Sequence, residues 1–307
     1  MRLFFHYILR LLVVVSLLII CSPAQAITNR ALLVGISDYG ASANSPSSQW
    51  SNIHGANDVE LLACTLKSQK FNITLVTNQQ ATAKRIRKEL KSLVKSCRAG
   101  DVVYIHFSGH GQPFEDKSKD EEDGWDEAII PYDAQKVYSK GKYEGANHII
   151  DDELNGYFNQ IRKKVGAKGF LCVVIDACHS GNTYKGDEIE DGEEIYIRGT
   201  RDGFSSSGKP FRPRINADSN YKKYKYGIEQ KAGFANILIL EACRSYQSNH
   251  EIKQDGKHYG PLSYYVNKTL QTKNLAPSLS WVNEVKRLMD RDSRLSRQQM
   301  IFETSLK

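Results

Sequence analysis

Two short motifs carry residue types that could act together in nucleophilic catalysis. The stretch VVIDACHSG, residues 173–181, runs from apolar residues into Asp176 and Cys178. The stretch SGHG, residues 108–111, sets His110 between two glycines, which suit a tight turn that a substrate backbone can approach closely. A thiolate nucleophile needs a nearby imidazole that takes its proton and returns it to the leaving amine. As a pair, the motifs predict acyl-transfer chemistry.

Each motif taken alone has a structural alternative. A single histidine after a strand is more often a hydrogen-bonded surface or core residue than a catalytic one. A cysteine that ends an apolar strand is often an inert buried thiol, and this interpretation suits Cys172 and Cys243, which have no matched histidine. The prediction of catalysis therefore depends on His110 and Cys178 reaching the same place in the fold.

The order of apolar runs along the chain predicts how the two motifs meet. Short apolar runs typical of buried strands alternate with amphipathic stretches typical of helices. Strands are expected at residues 31–36, 72–77, 101–109, 126–131, 169–178 and 235–243, and helices at 55–69, 81–97, 151–164, 260–271 and 278–290. This alternation predicts an α/β three-layer sandwich, with a mostly parallel central sheet and helices on both faces. Because ligand sites lie at the carboxyl ends of such strands, both motifs are expected at that edge.

The composition of the N-terminal residues predicts a signal peptide and so a start for the folded domain. Residues 1–26 combine Arg2 and Arg10 with an apolar run and end in Ala-Gln-Ala, as a cleaved signal peptide does. The alternative is a membrane anchor, but the apolar run is shorter than the roughly 20 residues that a spanning helix needs. We therefore expect a secreted or periplasmic domain over residues 27–307, with no membrane segment after cleavage. Residues 182–232 are rich in Gly, Ser, Asn, Lys and Arg, which indicates a flexible insertion.

Charge and cysteine content argue against two classes of site. Without residues 1–26, the chain keeps all but two of its 42 Lys and Arg residues against 35 Asp and Glu residues, so its formal charge is +5. These charges are not gathered into a basic face interleaved with aromatic residues, so nucleic acid is not an expected partner. Five cysteines remain, an odd number that predicts at least one free thiol. No Cys-x-x-Cys pair is present, which disfavours structural zinc.

The two motifs also support a family resemblance. In this order on successive strands, SGHG and DACHSG resemble the motifs of caspase-like cysteine peptidases of the peptidase C14 type, most closely the metacaspases. Three further stretches resemble the same family: GANDVELL at 55–62, DGWDEAIIPYDA at 123–134 and IIDDEL at 149–154. The chain departs from the Gln-Ala-Cys signature of caspases, because Asp176 and His179 replace its flanking residues. The resemblance implies a caspase-like fold and a cysteine endopeptidase with a thioester acyl-enzyme.

Carried over residue by residue, the resemblance implies specific roles. His110 would be the general base and acid, and Cys178 the nucleophile. The backbone N–H groups of Gly111 and Cys178 would form the oxyanion hole, whose donors are typically worth about 3 kcal/mol each in the transition state.

The resemblance also implies an acidic specificity pocket. Asp58 and Asp176 would line the pocket for the residue before the scissile bond, and an acidic pocket selects Arg or Lys. Asp176 lies two residues before Cys178 and on a strand would point to the same face. Asp58 has an alternative explanation as a helix N-terminal acid that the helix dipole favours. Acidic loops at 120–127 and 186–194 would attract basic protein or peptide substrates, although solvated charge runs are common.

Calcium is a further expectation that comes from the resemblance. The chemistry requires no cofactor, but several related enzymes are activated by calcium, and the matching ligand positions are Asp126, Asp151 and Asp152. The fourth matching position is Lys185, which cannot bind a hard cation, with Asp187 nearby as a substitute. The alternative is that IIDDEL only caps the helix that follows it.

The insertion at 182–232 lies where family members are often cut. Its basic residues are expected to be exposed and to offer sites for autoprocessing, among them Arg198, Arg201, Lys222 and Lys223. Two alternatives stay open: a catalytically idle caspase-like binding domain, and a related peptidase with a preference for Asn or Asp. The sequence leaves the oligomeric state open.

Overall fold

A seven-stranded sheet forms the centre of the computed structural model, which describes residues 27–40, 50–121, 123–178, 195–200, 202–212 and 225–307. Five strands, mutually parallel, make up most of it: β1 (Asn29–Gly35), β2 (Phe71–Thr77), β3 (Val102–Ser108), β7 (Phe170–Asp176) and β9 (Asn236–Glu241). Two short strands, β12 (Ile301–Thr304) and the edge strand β8 (Lys225–Gly227), complete it. The spatial order is β2-β1-β3-β7-β9-β12-β8, with β12 antiparallel to β9.

In the described part of the chain, five α-helices cover the two faces of this sheet. They are α1 (Gly55–Ser68), α2 (Ala83–Ser96), α3 (Asp151–Val165), α4 (Pro261–Leu270) and α5 (Leu279–Arg291). Apolar residues of α2 and α3 pack on one face, and those of α1, α4 and α5 pack on the other. Alternate residues of β1 divide between the two cores, with Leu32 on one side and Leu33 on the other. The expected three-layer α/β sandwich is therefore confirmed.

A second sheet follows β3 directly and was only partly expected. It contains β4 (Gly111–Glu115), β5 (Trp125–Ile129) and β6 (Ile149–Ile150) in an antiparallel arrangement. The sequence indicated β5 alone, because β4 begins one residue after His110 and contains a proline, which is unusual within a strand. A small hairpin of β10 (Ile252–Gln254) and β11 (Lys257–Tyr259) also lacked a clear apolar pattern.

Two features of composition can be compared with the described residues. None of the five cysteines there forms a disulfide bond, and four of the five are buried. The odd number of cysteines predicted at least one such thiol. None of the described helices has the length and apolar character that crossing a membrane requires. Residues 1–26, on which the export prediction rests, lie outside the described part of the chain.

Candidate active site

The two motifs meet at the carboxyl edge of the central sheet. Strands β3 and β7 are neighbours, with Ser108 aligned with Asp176 and the Gly109 N–H donating to the Asp176 carbonyl oxygen at 3.3 Å. A Cβ atom on Gly111 would lie 2.6 Å from the Cys178 carbonyl oxygen, so only glycine allows this close approach. The structure therefore brings the two motifs together, as the strand order predicted.

His110 is buried at this edge with a defined tautomer. Its ring lies between Tyr39 and Trp50, at centroid distances of 4.9 and 5.0 Å. Nε2 lies 2.8 Å from the Ser51 carbonyl oxygen, which can only accept, so the proton is on Nε2. Nδ1 is then an acceptor, and it is buried with no hydrogen-bond partner among the described residues. Burial lowers the pKa of His110 to about 4, so the imidazole is neutral at physiological pH.

Cys178 is fully buried in a pocket that contains a second thiol. Its Sγ donates to the Gln247 carbonyl oxygen at 2.8 Å, and the Cys243 Sγ approaches the same oxygen at 3.5 Å. The hydrogen bond with Cys178, followed by burial, raises the pKa of the Cys243 thiol well above its usual value. Cys172, by contrast, is a buried core thiol on β7, as its apolar context indicated. The sequence did not indicate the contact between Cys243 and Cys178.

Arg198 overturns one expectation about the insertion. It was expected to be exposed, but its side chain is fully buried, because three acidic side chains surround the guanidinium group. Nη1 lies 2.8 Å from Asp58 Oδ2 and 3.6 Å from Asp176 Oδ1, and Nη2 lies 2.8 Å from Glu251 Oε1. Arg201, Lys222 and Lys223 lie outside the described residues.

The pocket around Arg198 is negatively charged and shaped for a guanidinium group. Burial raises the pKa of Asp58 to about 7, even though the Arg198 charge opposes this shift. Burial also works against ionisation of Glu251, but Arg198 and His54 more than offset it and hold its pKa at about 2. Ser108 Oγ accepts from Arg198 Nη1 at 2.5 Å and donates to Asp58 Oδ2 at 2.6 Å. Asp58 also lies in the first turn of α1, where the helix dipole favours an acidic side chain, so the alternative explanation of this residue applies as well.

A chain of buried hydrogen bonds orients Asp176. Its Oδ1 accepts from Asn249 Nδ2 at 2.7 Å, and its Oδ2 accepts from the Ser263 hydroxyl at 2.7 Å. Ser263 Oγ in turn lies 2.9 Å from His106 Nε2, and His106 Nδ1 lies 2.9 Å from the Tyr104 hydroxyl. These partners satisfy the carboxylate and fix its direction, so the pocket is formed before any ligand enters it.

The backbone around Arg198 lies in the cleft as an added strand. The Arg198 N–H donates to the Asn249 carbonyl oxygen at 3.0 Å, and the Tyr196 carbonyl oxygen accepts from the Glu251 N–H at 2.9 Å. Further along, the Phe204 N–H donates to the Pro113 carbonyl oxygen on β4 at 2.8 Å. Residues 196–200 and 202–204 thus cross the site in the way that peptides bind by β-strand addition.

The carbonyl oxygen of Arg198 lies against the backbone N–H groups named in the sequence analysis. It accepts from Cys178 N–H at 2.8 Å and from Gly111 N–H at 3.3 Å. The next residue, Gly199, lies so close to Cys178 that a Cβ atom there would be 2.2 Å from the Cys178 carbonyl oxygen. Two N–H groups on one carbonyl oxygen form the arrangement that stabilises a developing oxyanion.

The acids considered for calcium lie near the second sheet. Carboxylate oxygens of Asp116, Asp120 and Asp126 lie within 4.8 Å of one another, so Asp126 groups with two residues that the sequence analysis did not name. Burial and then the Asp151 charge raise the pKa of Asp126 to about 7. Asp151 and Asp152 begin α3, and Asp151 Oδ1 accepts from the backbone N–H of the residue after Asp126 at 3.2 Å. Lys185 and Asp187 lie outside the described residues.

Several residues of this site were missed in the sequence analysis. Glu251 and Asn249 follow β9 in a loop without periodicity, and Ser263 and Gly260 lie at the start of α4, far along the chain from both motifs. Their one shared signal is position, because each lies close to the carboxyl edge of the sheet, where ligand sites form. Residue type alone did not separate them from ordinary loop residues.

The fold and these paired motifs define a cysteine peptidase of the caspase-like class. A family model described as "Metacaspase, peptidase C14 domain" matches residues 29–185, which is more than half of the chain. The chain therefore belongs to the metacaspase family.

Curated relatives agree with this family membership. Metacaspase-1B of Aspergillus terreus is 26% identical over 84% of this chain and 70% of its own length. Metacaspase-1B of Aspergillus fumigatus and Metacaspase-1 of Meyerozyma guilliermondii are each 26% identical over 85% of this chain and 66% of their own lengths. The chain thus spans about two thirds of the length of these relatives.

One solved structure supports the fold. A crystal structure of a Geobacter sulfurreducens protein matches with a TM-score of 0.58, covering 91% of this chain and 97% of that one. Its sequence identity of 21% supports the fold alone.

Proposed function

We propose that the chain is a cysteine endopeptidase that cuts peptide bonds after arginine. The observation that carries this proposal is the position of Arg198. Its guanidinium group is 2.8 Å from Asp58 and from Glu251, while its carbonyl oxygen accepts from the Cys178 N–H at 2.8 Å. The side chain of Arg198 thus fills the acidic pocket while its carbonyl oxygen accepts from the paired N–H groups. The residue before a scissile bond must make both of these contacts.

The proposed reaction uses His110 and Cys178 as a dyad. The Cys178 thiol leaves the Gln247 carbonyl oxygen and gives its proton to Nδ1 of His110, the ring nitrogen that is free to accept it. The thiolate attacks the carbonyl carbon, and the N–H groups of Cys178 and Gly111 stabilise the oxyanion. His110 then protonates the leaving amine, which leaves a thioester. Water attacks the thioester with His110 as base, releases the acid product and restores the thiol.

Arginine is proposed to be preferred over lysine. The Arg198 guanidinium group bonds through Nη1 to Asp58 and Ser108 and through Nε and Nη2 to Glu251. A lysine ammonium group is one compact charge and cannot span acids on both sides of the pocket. An Asp or Asn residue would leave three acidic groups without a cation, which disfavours the alternative specificities.

We further propose that the Arg198–Gly199 bond is the autoprocessing site. While Arg198 fills the pocket, no other arginine can enter, so the uncut chain is latent. Cutting releases a carboxyl terminus at Arg198 and allows this end to leave. Gly199 supports the assignment, because it packs directly against the Cys178 backbone, beside the proposed nucleophile.

The test compares the wild-type chain with Cys178→Ala over residues 27–307. The expected wild-type products include a fragment that begins at Gly199, detected by mass spectrometry, and hydrolysis of Arg peptides in preference to Lys, Asn and Asp peptides. Cys178→Ala is expected to stay uncut and inactive. An idle binding domain would show no difference between the two proteins, and a first cut at another residue would contradict the Arg198–Gly199 assignment.

Calcium activation and export also belong to this proposal. The carboxylates of Asp116, Asp120 and Asp126 are hard oxygen ligands of the kind that calcium prefers, and a bound cation would relieve their mutual repulsion. The bound calcium ion would stabilise the second sheet, which holds β4 beside the cleft. Export by cleavage after Ala26 would be tested by sequencing the mature N-terminus, which is expected to be Ile27.

A further inference from the structure

We infer that the enzyme selects an aromatic residue two positions before the cleaved arginine, through an aromatic subsite formed by His54 and His258. This inference rests on the proposed function and deepens it, because it names the class of substrate. Its evidence is separate from that for the acidic pocket, since it comes from Tyr196 and not from Arg198.

Tyr196 lies against two histidine rings. Its ring meets His54 edge to face, with centroids 4.6 Å apart and an interplanar angle of 87°, and it lies 4.9 Å from His258. The two imidazole rings stack on each other at 4.8 Å with an interplanar angle of 29°. Edge-to-face and offset-stacked rings at these distances are the favourable geometries for aromatic pairs.

The backbone register fixes which substrate residue reaches this subsite. The Arg198 N–H bonds to the Asn249 carbonyl oxygen, Ile197 forms an antiparallel bridge with His250, and the Tyr196 carbonyl oxygen accepts from the Glu251 N–H. Side chains alternate along an extended chain, so Tyr196 and Arg198 share one face. A peptide bound in the same register therefore presents its residue two positions before the arginine to His54 and His258.

Glu251 holds the two subsites at a fixed separation. Its Oε1 accepts from Arg198 Nη2 at 2.8 Å and from the His54 backbone N–H at 2.8 Å, while its Oε2 lies 2.6 Å from His54 Nδ1. His258 is held independently, because Asn57 at the start of α1 donates to its carbonyl oxygen at 3.1 Å. The rings are thus positioned by elements that stay in place when the segment ending at Arg198 leaves.

The experiment uses the processed enzyme and two fluorogenic peptides, acetyl-Tyr-Ile-Arg and acetyl-Ala-Ile-Arg amides. The Tyr peptide is expected to have a kcat/KM about tenfold higher, because its ring forms two aromatic pairs, one with each histidine. His258→Ala is expected to lower this ratio at least about threefold, and its circular dichroism spectrum and Tm, compared with those of the wild-type enzyme, check its folding. Lys257→Ala, an exposed neighbour on the same hairpin, is the matched control.

The outcomes separate this inference from the proposed function. Equal kcat/KM values for the two peptides in the wild-type enzyme would overturn the aromatic subsite and leave cleavage after arginine standing. A Tyr preference that is undiminished in His258→Ala would also overturn the assignment. Failure to cleave either peptide, together with equal behaviour of Cys178→Ala, would refute the proposed function and this inference with it.

Discussion

The backbone N–H of Cys178 donates to the carbonyl oxygen of Arg198 at 2.8 Å. The same arginine holds its guanidinium group 2.8 Å from Asp58, so one residue of the chain contacts both the Cys178 backbone and the acidic pocket. Under the proposed function, these are the contacts that a bound substrate would make, and the uncut chain would block its own site. This proposal has consequences that can be measured.

Removing the Arg198 side chain is expected to open the pocket without any cut. In a Cys178→Ala background, which stays intact, Arg198→Ala should bind the peptide acetyl-Tyr-Ile-Arg at least about tenfold more tightly, because the docked segment loses its buried ion pairs. Isothermal titration calorimetry measures the difference. Arg212→Ala, an exposed arginine of the same insertion, should leave the affinity unchanged. Equal affinities in the presence and absence of the Arg198 side chain would contradict latency by Arg198.

The sheet and the two motifs could be predicted because their signals are local. Strands β3 and β7 are mostly apolar and extend over seven residues each, and His110 and Cys178 each lie two residues beyond the last residue of a strand. Parallel pairing then brings the strand ends together whatever the loops do. That is why His110, Cys178 and Asp176 could be named from the sequence.

The pocket's occupant could not be predicted, since its burial depends on distant partners. Arg198 lies in a polar, glycine-rich insertion, which normally indicates exposure. Its burial follows from Asp58 on α1 and Glu251 before β10, residues far away in the chain. Glu251 itself carries no pattern that distinguishes it from a solvated loop acid. Contacts of this kind require the tertiary structure.

The activity on arginine peptides is expected to depend on the ionisation of Asp58. Burial raises its pKa to about 7, so Asp58 gains a proton as the pH falls below 7 and loses its attraction for a guanidinium group. Between pH 6 and 8, the ratio of kcat/KM for an arginine peptide to that for its neutral citrulline analogue should rise at least about tenfold, because the processed pocket has lost the Arg198 cation that lowers this pKa. His110, with a pKa lowered by burial to about 4, stays neutral across this window.

Asp58→Asn is the matched variant for this pH dependence. It keeps the size of the side chain but has no titrating group, so the arginine-to-citrulline ratio should be low and flat from pH 6 to 8. Dividing by the citrulline rate removes the contribution of the thiol, which affects both peptides alike. A ratio in Asp58→Asn that still rises with pH would assign the dependence to another group.

Calcium is expected to stabilise the protein through Asp126. The pKa of Asp126 is raised by burial to about 7, so its carboxylate is available above that pH and is lost as the pH falls below it. At a hundred times the dissociation constant, a bound ion adds about 2.7 kcal/mol, which corresponds to a Tm increase of roughly 5–10 °C. This increase should appear at pH 8, shrink at pH 6 and be absent with magnesium at the same concentration.

Two variants identify the acids that bind calcium. Asp126→Asn should abolish the calcium-dependent rise in Tm, whereas Asp290→Asn, an exposed acid on α5, should retain it. Asp152→Asn distinguishes the ligand set implied by the family from the group of Asp116, Asp120 and Asp126, because only the former includes Asp152. The absence of any shift in the wild-type protein would rule out a calcium site here.

Gly260 is expected to control access to the acidic pocket by size alone. Its φ of −65° is accessible to any residue, but a Cβ atom there would lie 2.3 Å from Asp176 Oδ2 and 2.4 Å from Arg198 Nη1. Gly260→Ala should therefore lower kcat/KM for arginine peptides about 100-fold, the equivalent of roughly 3 kcal/mol of lost ion pairing, and slow the cut at Arg198–Gly199. Gly156→Ala on α3, where a Cβ meets no atom within 4 Å, is the control and should keep full activity. If Gly260→Ala cleaves arginine peptides at the wild-type rate, arginine does not bind beside Asp176 and the pocket assignment is wrong.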